Sequence, residues 1–319
     1  MGVLLPDEMK TTKTLLGILT IGSAMSALLV GCGRIGDDKP AKPSQVTNQV
    51  SERSSPPKLT PAPNGLGKQE GSWTNSLGMV FKPVPGTQVW FSIWTTRRCD
   101  FAACPSSDHS GSGNVPVVNV SWNEAEHFCD WLTQKERGQG LLSESQSYRL
   151  PNDLEWSTAV GLESENGADL TERWQNAINH INKCIPQSTP KGVVVTASEA
   201  IFPWGKIYPA PDGVGNYRRQ VDGVWELSRE PVAVGSYPPN RYGLYDMGGN
   251  IEEWCQDKTA GGQAALVRGS SCDTYDPVQL ASAFRQNDFC DNTHFTRGFR
   301  CVLVTGTRHQ AMDKSTGQP

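Results

Sequence analysis

The chain has 319 residues, 37% of them hydrophobic and 19% charged, with a formal net charge of −4. That length suits one large domain or two small ones. The acidic balance offers no electrostatic footprint for nucleic acid, so a nucleic-acid partner is not expected. Thirty-two glycines and 22 prolines make the chain turn-rich, and nine cysteines suit an oxidising compartment better than the cytosol.

Residues 14–30 are apolar and uncharged, and Lys10 and Lys13 precede them. A basic segment followed by a short apolar run reads as a secretory signal. The run ends in Leu29-Val30-Gly31-Cys32, which resembles a bacterial lipobox. Residues 1–32 are therefore expected to form a lipoprotein signal peptide, with Cys32 the lipidated residue. Acyl chains would hold the protein on a membrane, since each buried methylene contributes roughly 0.8 kcal/mol. The expected location is membrane-anchored, periplasmic or cell-surface.

Residues 33–72 carry Pro40, Pro43, Pro56, Pro57, Pro61 and Pro63 among polar residues, with little to bury. They read as a disordered tether reaching on the order of 35 Å. From Trp73 to about Val304 the composition is globular, without an internal linker, so residues 73–304 read as one domain. Residues 305–319 read as a frayed tail.

Within the domain, Met79–Val84 and Val89–Trp94 are β-prone, as are Val117–Val120, Ala265–Arg268 and Phe299–Val304. Ser121-Trp122-Asn123-Glu124 is a capping box, and Ala125, Phe128, Cys129 and Leu132 follow at helical spacing. Asn152-Asp153-Leu154-Glu155 repeats that logic after Pro151, with a helix through Trp156 and Ala159 to a stop at Gly161. The long irregular loops between these elements call for fastening by disulfides or bound ions.

Seven segments, in order, carry a resemblance. They are Thr74-Asn75-Ser76-Leu77-Gly78-Met79 with Pro83-Val84-Pro85-Gly86; Pro116-Val117-Val118-Asn119-Val120-Ser121-Trp122; Tyr148-Arg149-Leu150-Pro151-Asn152-Asp153-Leu154-Glu155-Trp156; Phe202-Pro203-Trp204-Gly205; Tyr242 through Asn250 with Glu253-Trp254; Val267-Arg268-Gly269-Ser270-Ser271; and Gly298-Phe299-Arg300-Cys301. Together they resemble the formylglycine-generating (sulfatase-modifying factor) family. The resemblance implies an α+β fold related to C-type lectins, with little regular secondary structure.

Formylglycine-generating enzymes oxidise a substrate cysteine with copper(I) held by two thiolates, and soft thiolates suit that ion. The resemblance places the site after the turn Arg268-Gly269-Ser270-Ser271, so Ser271 and Cys272 are the candidate catalytic residues. Two registers remain open. Counted back from Arg285, Cys272 takes the first thiolate place and Pro277 the second. Counted forward from Arg268, Thr274 and Gln279 fill them. Neither supplies a second cysteine, so copper is not expected. The family's frequent aromatic at Glu252 is also missing.

The resemblance further implies structural calcium, a hard cation that takes about six to eight oxygen ligands. One set would use the Asp246 side chain with carbonyls of Gly249, Ile251 and Glu253. A second would use Asn216, Tyr217, Asp222 and Val224. It also implies a Cys129–Cys301 disulfide, whereas the family's other common disulfide would need cysteines near Val160 and Ser282, which are absent. Cys99 with Cys104 is a further candidate pair, as is Cys272 with Cys290. The five histidines lack metal-ligand spacing, and His127 reads as a surface residue. The expected role is a binding or assembly module whose partner is an exported protein or a glycan. The alternative is an oxidase of an exported sulfatase.

Overall fold

A computed structural model describes residues 67–69, 71–107, 111–162, 165, 167–185, 201–221, 224–226 and 229–305. The apolar leader with Cys32, most of the proline-rich tether and the tail from residue 306 lie outside them. No helix among the described residues is long and apolar enough to cross a membrane.

Four short strands open the fold: β1 (Gly67–Gln69), β2 (Ser72–Thr74), β3 (Val80–Pro83) and β4 (Val89–Ser92). Helix α1 (Arg98–Phe101) follows, then α2 (Trp122–Gly138), β5 (Ser147–Arg149), α3 (Asp153–Val160) and α4 (Leu170–Cys184). The rest comprises β6 (Gln220–Val221), β7 (Val224–Trp225), β8 (Glu252–Lys258), β9 (Ala264–Arg268), α5 (Pro277–Leu280), β10 (Arg285–Phe289), β11 (Arg297–Gly298) and β12 (Val302–Val304).

Both capping boxes form as the sequence predicts. Ser121 accepts the Glu124 amide, and the Glu124 carboxylate returns to the Ser121 amide at 2.8 Å. Asn152 and Glu155 do the same for α3, which stops at Gly161 with φ 101°, a left-handed position that favours glycine. The segment Val117–Val120 departs from expectation: it is not a strand. Asn119 takes φ 57°, which breaks an extended run, and its amide bonds the His294 carbonyl instead. Helix α4 was not anticipated, although its buried Arg173, Ala177 and Ile181 recur at helical spacing.

The larger sheet runs β1-β2-β3-β4-β12-β5. Its last strand in sequence, β12, lies between β4 and β5, with Val302 facing both Phe91 and Arg149. The chain end therefore closes a sheet begun by the first hairpins. The second sheet runs β10-β9-β8-β11, where β11 is parallel to β8. The apolar stripe of α2 (Ala125, Phe128, Cys129, Leu132) is buried with Phe81, Tyr148 and Phe299. Phe128 meets Phe101 and Phe299 at ring-centroid distances of 5.4 and 5.6 Å. Each such large side chain contributes about 1.5–3 kcal/mol by leaving water.

Candidate functional site

The turn after Leu244 is built on close backbone approach. A Cβ on Gly248 would come 2.5 Å from Pro203 Cγ, and one on Gly249 would come 2.7 Å from the Tyr217 ring. Only glycine fits at either place. Asn250, at φ 64°, ties this turn to its neighbours: its amide donates to the Asn216 carbonyl, and its side chain exchanges bonds with the Val232 backbone.

The Cys272 loop leaves β9 through Gly269, whose φ is 76°. The Cys272 amide donates to the Asn250 carbonyl at 3.0 Å, and its thiol donates to the Arg229 carbonyl at 3.0 Å. The residue is fully buried. Burial, aided by the Asp273 and Glu230 charges, pushes the thiol up to about 12. A thiol in that state is neither a good nucleophile nor a ready metal ligand. Ser271 is also buried, and its amide and hydroxyl both meet Thr274 Oγ1. Pro277 and Gln279 lie in α5, capped by the Asp276 carboxylate. Cys272 thus meets a carbonyl, and Thr274, Pro277 and Gln279 add no sulfur in either register. This donor set does not fit two-thiolate copper(I).

Asp246 is buried at φ 54°, and its Oδ2 accepts the Gly235 amide at 3.1 Å. Burial pushes its carboxyl up to about 6, against the pull of the Gly235 bond and of Arg300. The Glu253 carboxylate is engaged by Arg300 Nε at 2.7 Å, Arg300 Nη2 at 2.6 Å and Trp156 Nε1 at 3.1 Å. Glu253 therefore has only its carbonyl for a cation, as the first calcium set requires. The second set fares worse. Arg229 Nη1 already donates to the Tyr217 carbonyl at 3.0 Å, Val224 is exposed on β7, and Asp222 lies outside the described residues. Glu252, where an aromatic was missing, receives Arg297 Nε and Nη2 at 3.1 and 3.0 Å. No cluster of three His, Cys, Asp or Glu side chains suited to a metal occurs among the described residues.

Cys99, Cys104, Cys129, Cys255, Cys272, Cys290 and Cys301 are free thiols. Cys129 and Cys301 stand face to face in the core with sulfurs 3.6 Å apart, longer than a disulfide bond. The other two candidate pairs turn to different partners. Cys99 approaches Asp100 and Cys104 approaches Ser106. Cys272 meets the Arg229 carbonyl, and Cys290 lies 4.0 Å from that of Gly262.

Sequence reasoning missed a buried charge knot. Asp153, fully buried at the start of α3, receives Arg268, Arg285 Nε at 2.9 Å and Arg173 Nε at 3.0 Å. Glu165 takes Arg285 and the Ser157 hydroxyl. Burial alone would raise the Asp153 carboxyl, but the Arg268 and Arg285 charges hold it below its usual range. The available signal was Arg268 at the end of the apolar run Ala264-Ala265-Leu266-Val267; Arg173 and Arg285 sit in polar segments.

A model of the sulfatase-modifying factor enzyme 1-like domain matches residues 88–305. The formylglycine-generating enzyme of Streptomyces coelicolor is 27% identical over 226 residues, covering 61% of this chain and 55% of that protein. The inactive C-alpha-formylglycine-generating enzyme 2 of mouse is 30% identical over 213 residues, covering 64% and 54%. The chain thus spans about half the length of these relatives. Among solved structures, PvdO from Pseudomonas aeruginosa aligns with a TM-score of 0.43 at 19% identity, over 67% of this chain and 80% of that one. With an antiparallel six-stranded sheet, a mixed four-stranded sheet, a two-stranded sheet and few helices in an α+β arrangement, the chain belongs to the sulfatase-modifying factor enzyme 1-like domain family and has its formylglycine-generating-enzyme fold.

Proposed function

We propose that this protein is an exported lipoprotein whose domain keeps the family scaffold as a binding or assembly module without copper oxidase chemistry. One observation carries the reading: the Cys272 thiol is buried, bonded to a backbone carbonyl and held protonated. Linear copper(I) needs two accessible thiolates. The 30% identity to a mouse relative named as inactive supports the same direction. The basic leader and lipobox-like Leu29-Val30-Gly31-Cys32 support export and lipidation. An exported protein or a glycan is the proposed partner.

The test incubates the purified protein with copper(I) and a Cys-x-Pro-x-Arg peptide. The peptide mass is expected to stay unchanged. A mass loss marking formylglycine would establish the rival oxidase.

Calcium is proposed as a structural ion at the first set only. Asp246 would supply the carboxylate, and Gly249, Ile251 and Glu253 their carbonyls. The ion would offset the cost of a buried charge at Asp246 and brace the glycine turn against Tyr217.

A further inference from the structure

Away from the Cys272 loop, a concavity of about 190 Å³ opens beside α2. Phe101 and Phe128 form its apolar wall, and Asn123 and Glu124 form its polar rim. Cys104, Ser106 and His127 meet in it. The Cys104 sulfur lies 3.2 Å from Ser106 Oγ, and Ser106 Oγ lies 2.7 Å from His127 Nε2. One proton arrangement satisfies all three groups with a neutral imidazole: the thiol donates to the hydroxyl, and the hydroxyl donates to Nε2. Ser106 and His127 are exposed, while Cys104 is buried at 3% exposure beneath them.

We propose that Cys104 is a reactive thiol, deprotonated through Ser106 by His127, and that this pocket takes small disulfides. The sulfur is the attacking atom because a thiol gives up its proton far more readily than an alcohol does. A disulfide suits the walls better than a carbonyl substrate. The Glu124 carboxylate on the rim opposes a developing oxyanion. In exchange, charge is shared among three sulfurs, and polarizable sulfur packs favourably against the Phe101 and Phe128 rings. Cys99 is not the attacking thiol: burial and the adjacent Asp100 charge push it up.

The step balances. The Cys104 sulfur attacks one sulfur of the disulfide, a new S–S bond forms and the old one breaks. The thiol proton passes through Ser106 to His127, which returns it to the departing thiolate. Cys104 ends oxidised in a mixed disulfide, and the other half leaves reduced as a thiol.

The experiment treats the full-length protein with dithiodipyridine and follows each modified cysteine by peptide mass. Cys104 is expected to react faster than the partly exposed Cys184. Ser106→Ala and His127→Gln are expected to slow Cys104 about a hundredfold, at the low end of what a positioned base supplies. Both replaced side chains are exposed, so folding is expected to survive. Free imidazole is expected to restore the rate in H127Q, which a merely structural role would not allow. A Cys104 slower than Cys184, a rate unchanged in H127Q, or a Cys99–Cys104 bridge in the unreduced protein would each overturn the proposal.

Discussion

Two buried polar regions lie close together along the chain and behave differently. Arg268 ends β9 inside the Asp153 knot, and Cys272 follows it by a few residues. In the knot, charges meet charges: Asp153 and Glu165 face Arg173, Arg268 and Arg285. In the loop, neutral groups meet backbone: the Cys272 thiol takes the Arg229 carbonyl, and Thr274 takes the Ser271 amide. Burial raises the cost of any unpaired charge but keeps a neutral thiol neutral. The knot therefore works as a fastening that cannot lose a partner cheaply. The loop works as a packed turn whose buried Ser271, Cys272 and Thr274 carry no charge.

The knot also ties distant parts of the chain together. Arg268 Nη2 donates to the Ser282 carbonyl at 3.0 Å, and Arg268 Nη1 to the Ser157 hydroxyl at 2.9 Å. Charged hydrogen bonds thus join α3 to the segment before β10.

The largest effect is expected at Asp153. Asp153→Asn keeps the shape and removes the charge, stranding Arg268 in the interior and leaving Arg285 with Glu165 alone. A loss of about 3–5 kcal/mol is expected, read from urea unfolding. The pH dependence has a definite sign. The folded Asp153 carboxyl lies below its ordinary value of about 3.9, so the unfolded chain takes up the proton first as pH falls. Its contribution is present above that ordinary value and is lost as pH drops through the folded one. Subtracting the D153N profile from the native profile should isolate this acid-side loss. A flat difference would mean that the arginines are satisfied without the carboxylate.

Much of the scaffold was legible in sequence because its signals are local. Ser121 with Glu124, Asn152 with Glu155, and Gly161 each act within one helical turn, and the structure uses all of them. The knot was not legible because its members are far apart in sequence; Asp153 and Arg285 are separated by 132 positions. Asp153 read as a helix-start residue, and it is one, but its carboxylate is spent on distant arginines. The Cys272 loop was legible in composition only. Reading the loop in two registers found no second cysteine in either, while the carbonyl that holds Cys272 comes from Arg229, in a segment without a motif. His127 read as a surface residue; it is exposed, but bonded to Ser106.

An intermediate effect is expected at Asp246. If calcium sits in the first set, adding it should raise the melting temperature of the native protein, and Asp246→Ala, which removes the side-chain oxygens, should abolish the rise. At a hundredfold excess over the dissociation constant, binding stabilises by about 2.7 kcal/mol. Thermal scans with calcium and with chelator measure this directly. An identical melting temperature in both would remove calcium from the account and leave Asp246 as a turn residue bonded to Gly235.

The smallest effect is expected inside the Cys272 loop, and it sharpens the contrast with the knot. Thr274→Ala removes the acceptor of the Ser271 amide without exposing a charge. The expected loss is about 1–2 kcal/mol, because the buried Ser271 amide loses its acceptor and the Ser271 hydroxyl loses a partner. It should not vary between pH 5 and 8 beyond about 0.3 kcal/mol, because the loop's thiol stays protonated there. A loss as large as that of D153N would show that the loop, too, is a fastening. A marked pH dependence would show that Cys272 ionises after all, and would reopen the thiolate chemistry that its burial opposes.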